Sequence, residues 1–336
     1  MGNAFFAKGG IRPPKAQVAP GLDLSRSEVG VFELTLSSPV GNGSMKGRAA
    51  SPNLFVSLVD FVCKRCPNVS PDASHEAALF SQGTWMTVNL CQEGRCEVDI
   101  PGGGLAIVAA GEVCISCSQK RPTEFRYPSG RYRGIELFIN TKIADSPTFS
   151  LLGPGEHAVA DIARQAGSAA VVSNDADLNG RMERIATFVD SADGTLAEYE
   201  TLGLLLGLQR QNLSALRPRS VLTRAQMEIA VAVHDEIERS VDAPHDVRAL
   251  AARFGVSATT LNGYFSRTYG GTVASYLRQR RMEIAAGLLE QGASVATAAA
   301  HAGYANPSKF AAVFKRTFGE TPRDFRRRQG LRTKRH

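Results

Sequence analysis

Two groups of residues in this chain have types and spacings that could do chemistry. The first is a set of six cysteines confined to one stretch: Cys63-Lys-Arg-Cys66, then Cys91 and Cys96, then Cys114-Ile-Ser-Cys117. Two C-x-x-C pairs have the spacing of zinc-ribbon ligands, and paired thiols can also sense oxidants. The second group lies near the C-terminus. Thr259, Thr260, Asn262 and Gly263 share one face of a helical pattern, and Pro307, Ser308, Ala311 and Ala312 share the corresponding face of another. Asn can pair bidentately with adenine, and Thr offers a hydroxyl together with a methyl for thymine. Beside them Arg267, Lys309, Lys315 and Arg316, with Arg278 and Arg280 between, are spaced to hold phosphates, which position a protein on a duplex without reading its sequence. Arg281 reads either as a further cation of this set or as a packing and ion-pairing residue.

Enzyme chemistry finds little footing in the first 221 residues. They hold only His75 and His157, no nucleophile-elbow serine, and no Gly-rich phosphate loop followed by Lys. Cys114 and Cys117 fall in a strand-like run, where residues three apart face opposite sides, so one metal would not reach both thiolates without a bend. Ordinary buried thiols, a thiol sensor and a metal site stay open in that order, with no resident metal or other cofactor expected. The single tryptophan, Trp85, stands near Phe80, Met86 and Phe138 in the same β-rich texture. These four either floor a ligand pocket or are simply core.

The elements that must position these groups change character along the chain. Residues 1–20 are rich in Gly, Pro and Lys and are expected to be disordered. From 21 to 146 short apolar bursts (VFELTLSS, LFVSLVDFVC, GTWMTVNLC, LAIVAA, RGIELFIN) separated by turn residues predict an antiparallel barrel or sandwich, with CQEGRC, Cys91 to Cys96, as a hairpin tip. Over 147–212 the period turns helical. Met182, Ile185 and Val189 share a face, and the helix through Leu202, Leu204, Leu205, Leu206 and Leu208 is apolar over so broad an arc that it packs under the sheet or in a subunit contact. Residues 213–222 read as a linker, 223–329 as an all-helical domain, and 330–336 as a basic tail. The predicted fold class is therefore α+β in two domains.

Within 223–329 the chain repeats itself. Val247, Ala251 and Gly255 recur 48 residues later as Val295, Ala299 and Gly303, while Leu261, Phe265, Gly270 and Tyr276 recur 49 later as Phe310, Phe314, Gly319 and Phe325. Each copy reads as a helix, a glycine turn and a second helix capped by Ser257 or Asn306, which is helix-turn-helix anatomy. A continuous helix from Thr272 to about Gln291, roughly 30 Å long, joins them. Successive major-groove openings on one DNA face lie about 34 Å apart, so this spacer suits two adjacent grooves.

Charge follows the same division. From Leu222 onward there are 18 Lys and Arg against 10 Asp and Glu, which leaves 21 against 22 for the rest and puts the whole +7 excess in the helical domain. No run of eighteen apolar residues and no secretory h-region occurs, so a cytoplasmic protein without a membrane partner is expected.

On LAARFGVSATTLNGYF, YLRQRRMEIAAGLL and AHAGYANPSKFAAVFKRTFGETPRDFR the chain resembles the tandem DNA-binding domain of the AraC/XylS family of bacterial transcription regulators. The resemblance covers about 100 residues. It implies a cupin-like sensing or dimerising barrel before that module and a regulator, not an enzyme. The implied partners are promoter double-stranded DNA, a small-molecule effector, a second copy in a homodimer, and RNA polymerase. It also implies the groove-facing positions already named. Family members often carry bulkier polar groups where this sequence has Ala311 and Ala312. The alternative is an enzyme or a redox or metal sensor that its basic domain targets to DNA.

Overall fold

A computed structural model describes residues 22–25, 31–38, 41–67, 84–100, 104–117, 124–152, 157–167, 169–216 and 221–333. Residues 1–20, Phe80 and the last three residues of the predicted tail lie outside them. The chain divides into two compact units that meet at Val221/Leu222.

Unit 1 contains β1 (Leu22–Ser25), β2 (Val31–Ser38), β3 (Gly41–Ser51), β4 (Leu54–Cys63), β5 (Arg65–Pro67), β6 (Trp85–Ile100), β7 (Gly104–Ala109), β8 (Glu112–Ser116), β9 (Glu124–Arg126), β10 (Tyr132–Asn140) and β11 (Ala170–Ser173). Its helices are α1 (His157–Ala166), α2 (Ala176–Ala186), α3 (Phe188–Ser191) and α4 (Gly194–Gln209). The main sheet runs β1-β2-β3-β4-β10-β6-β7, with β8 on β6 and β11 on β8, while β5 and β9 pair separately.

This corrects the predicted barrel or sandwich. Among the described residues β1 pairs with β2 and with no strand at the far end of the order, so the sheet stays open. Its apolar face is covered by helices instead of a second sheet. Leu54, Val56, Met86, Val88, Leu137 and Ile139 pack in one core with Val159 and Ile162 of α1, Leu178, Met182 and Ile185 of α2, and Leu202, Leu204, Leu205 and Leu208 of α4. Helix on sheet is as good a way to bury an apolar face as sheet on sheet, and short strand-like runs do not say which is used. The broad apolar arc of α4 is thus buried within the unit. The predicted helical stretch also contains β11, which extends the sheet through Val171, opposite Cys114.

A second correction concerns Cys91 to Cys96, which form no hairpin tip. β6 runs unbroken through them, pairing first with β10 and then, from Arg95 to Ile100, with β7. Cys91 lies opposite Gly134 and Cys96 opposite Val108. The register shifts at Gln92, which has no partner between Arg133 and Gly134, and the glycine of the predicted tip stays paired with Tyr132: Gly94 has φ of +80°, and a Cβ there would lie 1.7 Å from the Arg131 carbonyl oxygen. Gly94→Ala is expected to destabilise unit 1 by about 2 kcal/mol, from the left-handed backbone and the displaced strand. The urea midpoint of the full chain measures it, and an unchanged midpoint would mean that the left-handed backbone at Gly94 is not held in solution.

Unit 2 is helical: α5 (Arg224–Arg239), α6 (Val247–Arg253), α7 (Ala258–Tyr269), α8 (Val273–Glu290), α9 (Val295–His301), α10 (Pro307–Phe318) and α11 (Pro322–Thr333). It has two cores joined by α8. Val273 and Leu277, in the first half of α8, pack with Ile237, Ala251, Leu261 and Phe265. Met282, Ala285 and Leu289, in its second half, pack with Ala299, Phe310, Phe314 and Phe325. The repeated residues therefore fill corresponding places in two small cores, each too small to be ordered without the shared helix. α11 carries the chain helically to Thr333, so most of the predicted basic tail continues a helix.

Candidate nucleic-acid interface

Local chemistry fixes both helix-turn-helix copies. Ser257 Oγ accepts from Thr260 N–H at 3.1 Å at the start of α7, and Asn306 Oδ1 accepts from Ser308 and Lys309 N–H at 2.9 and 3.2 Å at the start of α10. These bonds satisfy amides that have no intrahelical acceptor, and Pro307 at the first position needs none. Gly255 and Gly303, at φ +65° and +75°, make the turns, and Gly270 and Gly319, at +84° and +80°, end α7 and α10. Each second helix buries its Leu/Phe or Phe/Phe stripe and turns the opposite face out.

That outward face carries the predicted base readers. Thr259 is exposed and Thr260, Asn262 and Gly263 are half-buried on α7; Pro307, Ser308 and Ala312 are exposed and Ala311 half-buried on α10. Arg267, Lys309, Lys315, Arg316 and Arg278 are exposed. Arg278 opens onto a cleft of about 230 Å³ on α8, shared with His245, Leu277, Arg281 and Tyr304.

Three of these side chains have internal partners that the sequence did not reveal. Asn262 Oδ1 accepts the Val273 N–H at 3.1 Å, so α7 caps the first turn of α8 and one acceptor lone pair of the proposed adenine reader is engaged. Arg280 Nε and Nη2 donate to the two Glu238 carboxylate oxygens at 2.8 and 3.0 Å, and its Nη1 pairs with Glu283. Arg281 donates to the carbonyls of Val241 and Ala243, each at 2.8 Å, just beyond the end of α5. Tyr276 joins the Arg280 cluster, its hydroxyl 2.9 Å from Glu238 Oε1 and 2.7 Å from His234 Nε2, while the His234 ring stacks on Tyr269 at 4.3 Å. Burial alone would raise the Glu238 carboxyl, but the Arg280 and Tyr276 hydrogen bonds outweigh it and hold it below its ordinary range.

The Asn262 contact gives a test. Asn262→Ala is expected to cost about 1 kcal/mol of unit-2 stability, whereas Asn262→Asp keeps an acceptor at a helix N-terminus and loses little. Thermal unfolding of the two full-length variants measures it, and equal losses for both would discount the cap.

In unit 1 the sheet register separates the predicted pocket residues. Trp85 pairs with Asn140 and Thr87 with Phe138, so Trp85 and Phe138 share one face, while Met86, opposite Ile139, lies in the helix-covered core on the other. The cysteines divide likewise: Cys114 belongs to the core on the Trp85 face, and Cys117 packs against the helix-side core. Cys91, Cys96, Cys114 and Cys117 are free thiols. Burial pushes the Cys91 and Cys114 thiols up to about 12, which disfavours the reactive thiolate. Among the described residues no three His, Cys, Asp or Glu side chains are grouped to hold a metal.

Residues 250–328 match a helix-turn-helix domain family. The chain is 34% identical over 101 residues to the HTH-type transcriptional regulator GlxA of Rhizobium meliloti (strain 1021), covering 30% of this chain and 31% of that protein. It is 37% identical over 82 residues to a putative AraC-like transcription regulator of Streptomyces antibioticus, covering 24% of this chain and 27% of that one. With the regulatory protein SoxS of Escherichia coli (strain K12) it shares 32% identity over 93 residues, 27% of this chain and 87% of SoxS. The chain belongs to the AraC/XylS family. It spans less than a third of the length of GlxA and of the Streptomyces protein. The family module corresponds to unit 2, and α7 and α10 are its two second helices. Among the described residues no helix is long and apolar enough to cross a membrane.

Proposed function

We propose that this chain is a non-enzymatic transcription regulator that binds promoter double-stranded DNA through unit 2 and answers to a small-molecule effector bound by unit 1. The observation that carries the reading is the pair of outward-facing helices α7 and α10 held on one helix. α8 has 18 residues and so is about 27 Å long, close to the spacing of adjacent major grooves. Thr259, Thr260 and Asn262 read bases in one groove. Pro307, Ser308, Ala311 and Ala312 let α10 approach the other closely, with little chemistry for discrimination. Arg267, Arg278, Lys309, Lys315 and Arg316 hold phosphates. Residues 147–212 carry the effector's influence onward, and a homodimer would place two such modules on one promoter, beside RNA polymerase.

Selection of bound sequences from random DNA tests this reading. The expected product is two blocks about 10 base pairs apart, centre to centre, with the block under α7 more sharply defined than the block under α10. Failure to enrich any motif would overturn it.

A further inference from the structure

Unit 1 buries a carboxyl group that no cation among the described residues neutralises. Glu136 sits in the middle of β10, on the sheet face away from α1, α2 and α4, in register with Ser57 of β4 on one side and Asn89 of β6 on the other. Asn89 Nδ2 donates to Glu136 Oε1 at 3.3 Å, and Tyr132 Oη donates to Asn89 Oδ1 at 2.8 Å. Ser57 is wholly buried, and its Oγ finds no hydrogen-bond partner among the described residues. No described Lys, Arg or His pairs with Glu136. Burial alone pushes its carboxyl up to about 7. A buried acid with one long hydrogen bond, beside an unsatisfied hydroxyl, costs stability that an apolar pair of similar size would not.

The next row of the same face is aromatic. Phe55 and Phe138 stand opposite each other with ring centroids 6.0 Å apart, and Trp85 lies two residues along β6 from Thr87, the partner of Phe138. All three aromatic side chains are half-buried, beside a polar row that is itself buried. Aromatic faces attract cations, and a buried carboxylate needs one. A carboxylate ligand would instead meet Glu136 as a like charge.

We propose that this polar row and its aromatic wall form a binding site for a small organic amine, whose ammonium pairs with Glu136 and donates to Ser57 Oγ while its apolar body lies against Phe55, Phe138 and Trp85. The inference rests on reading unit 1 as the effector-binding unit and adds to it the chemical class of the effector. Glu136 supplies the charge, Ser57 a hydrogen-bond acceptor, and Asn89, held by Tyr132, keeps the carboxylate in place.

The single tryptophan of the chain is itself part of the wall, so its fluorescence reports on the site directly. Full-length protein is titrated with three compounds of one shape and different charge: 2-phenylethylamine, 2-phenylethanol and phenylacetate. The amine is expected to shift the Trp85 emission with at least about 10-fold higher affinity than the alcohol, and phenylacetate to bind weakest. Glu136→Gln is expected to abolish the preference for the amine while circular dichroism and the unfolding midpoint confirm a folded unit, and Ser57→Ala to weaken the amine several-fold. Equal binding of amine and alcohol, a preference that survives Glu136→Gln, or no amine binding up to about 10 mM would overturn the proposal. The parent reading is tested apart from it. If a low-molecular-weight cell fraction changes DNA affinity while the amine does not bind, an effector exists and is not an amine. If neither the fraction nor any probe alters DNA affinity, effector sensing itself fails.

Discussion

Phe314→Ala is expected to lower the stability of unit 2 by about 3–5 kcal/mol and to abolish specific DNA binding. Phe314 is wholly buried, with ring centroids 5.5 Å from Phe310, 4.6 Å from Phe318 and 5.4 Å edge-on from Phe325. Those three rings come from α10 and α11 and enclose it against the second half of α8. They are fixed by backbone on several sides, so the site cannot collapse around an alanine and the cavity term adds to the lost transfer energy. The same core positions α10, so its loss removes one of the two proposed groove helices even where the chain remains compact. Phe265 occupies the corresponding place in the other core, and because both cores share α8 the two substitutions are expected not to be additive. Denaturation of the single and double variants gives the coupling, and binding to the selected sequence gives the functional loss. A Phe314→Ala protein that binds that sequence with full affinity would remove α10 from the interface.

Unit 2 was legible in the sequence because its determinants are local. A capping side chain, a Leu/Phe stripe at i and i+4, and a glycine that takes positive φ lie within a dozen residues, and their recurrence 48 or 49 positions later identifies a repeated unit. Unit 1 depends on pairings between distant segments. Short apolar runs announced strands without saying whether the last would close on the first, so an open sheet under a helical layer was read as a barrel or sandwich. Gly94 could serve a turn or a continuing strand, and only the presence of β7 and β10 beside β6 decides for the strand. The four residues grouped as a candidate pocket do not stay together: Trp85 and Phe138 share a face, but Met86, the sequence neighbour of Trp85, is on the opposite face of the strand by its two-residue period. The polar row of Ser57, Glu136 and Asn89 draws one residue from each of three strands, and no spacing in the chain connects them. In unit 2 the same limit hid the partners of Asn262 and Arg280, whose roles are set by Val273 and by Glu238 on other helices.

Those partners decide the second large effect. Among the described residues Lys309, Lys315 and Arg316 make no ion pair, and all three are exposed on α10. Arg280, in contrast, already meets two carboxylates and a tyrosine-centred network. Each phosphate neutralised by a free cation releases a counterion and contributes about 0.9 to the slope of log affinity against log salt. Replacing Lys309, Lys315 and Arg316 together by Ala is therefore expected to flatten that slope by about 2.7 and to weaken binding about 100-fold at 0.15 M salt, on specific and random DNA alike. Arg280→Ala is expected to leave the slope unchanged while lowering unfolding stability, because it leaves Glu238 half-buried without its counter-charge. Titrations of one specific and one random duplex over a range of salt concentrations measure both variants. A triple variant with the parent slope would place the phosphates elsewhere, and an Arg280→Ala slope lowered by about one would show that DNA draws Arg280 out of its internal network. On the proposed reading, the distinction between free and paired cations on neighbouring helices sorts the positive excess of unit 2 into groups open to DNA phosphates and groups that hold the module together.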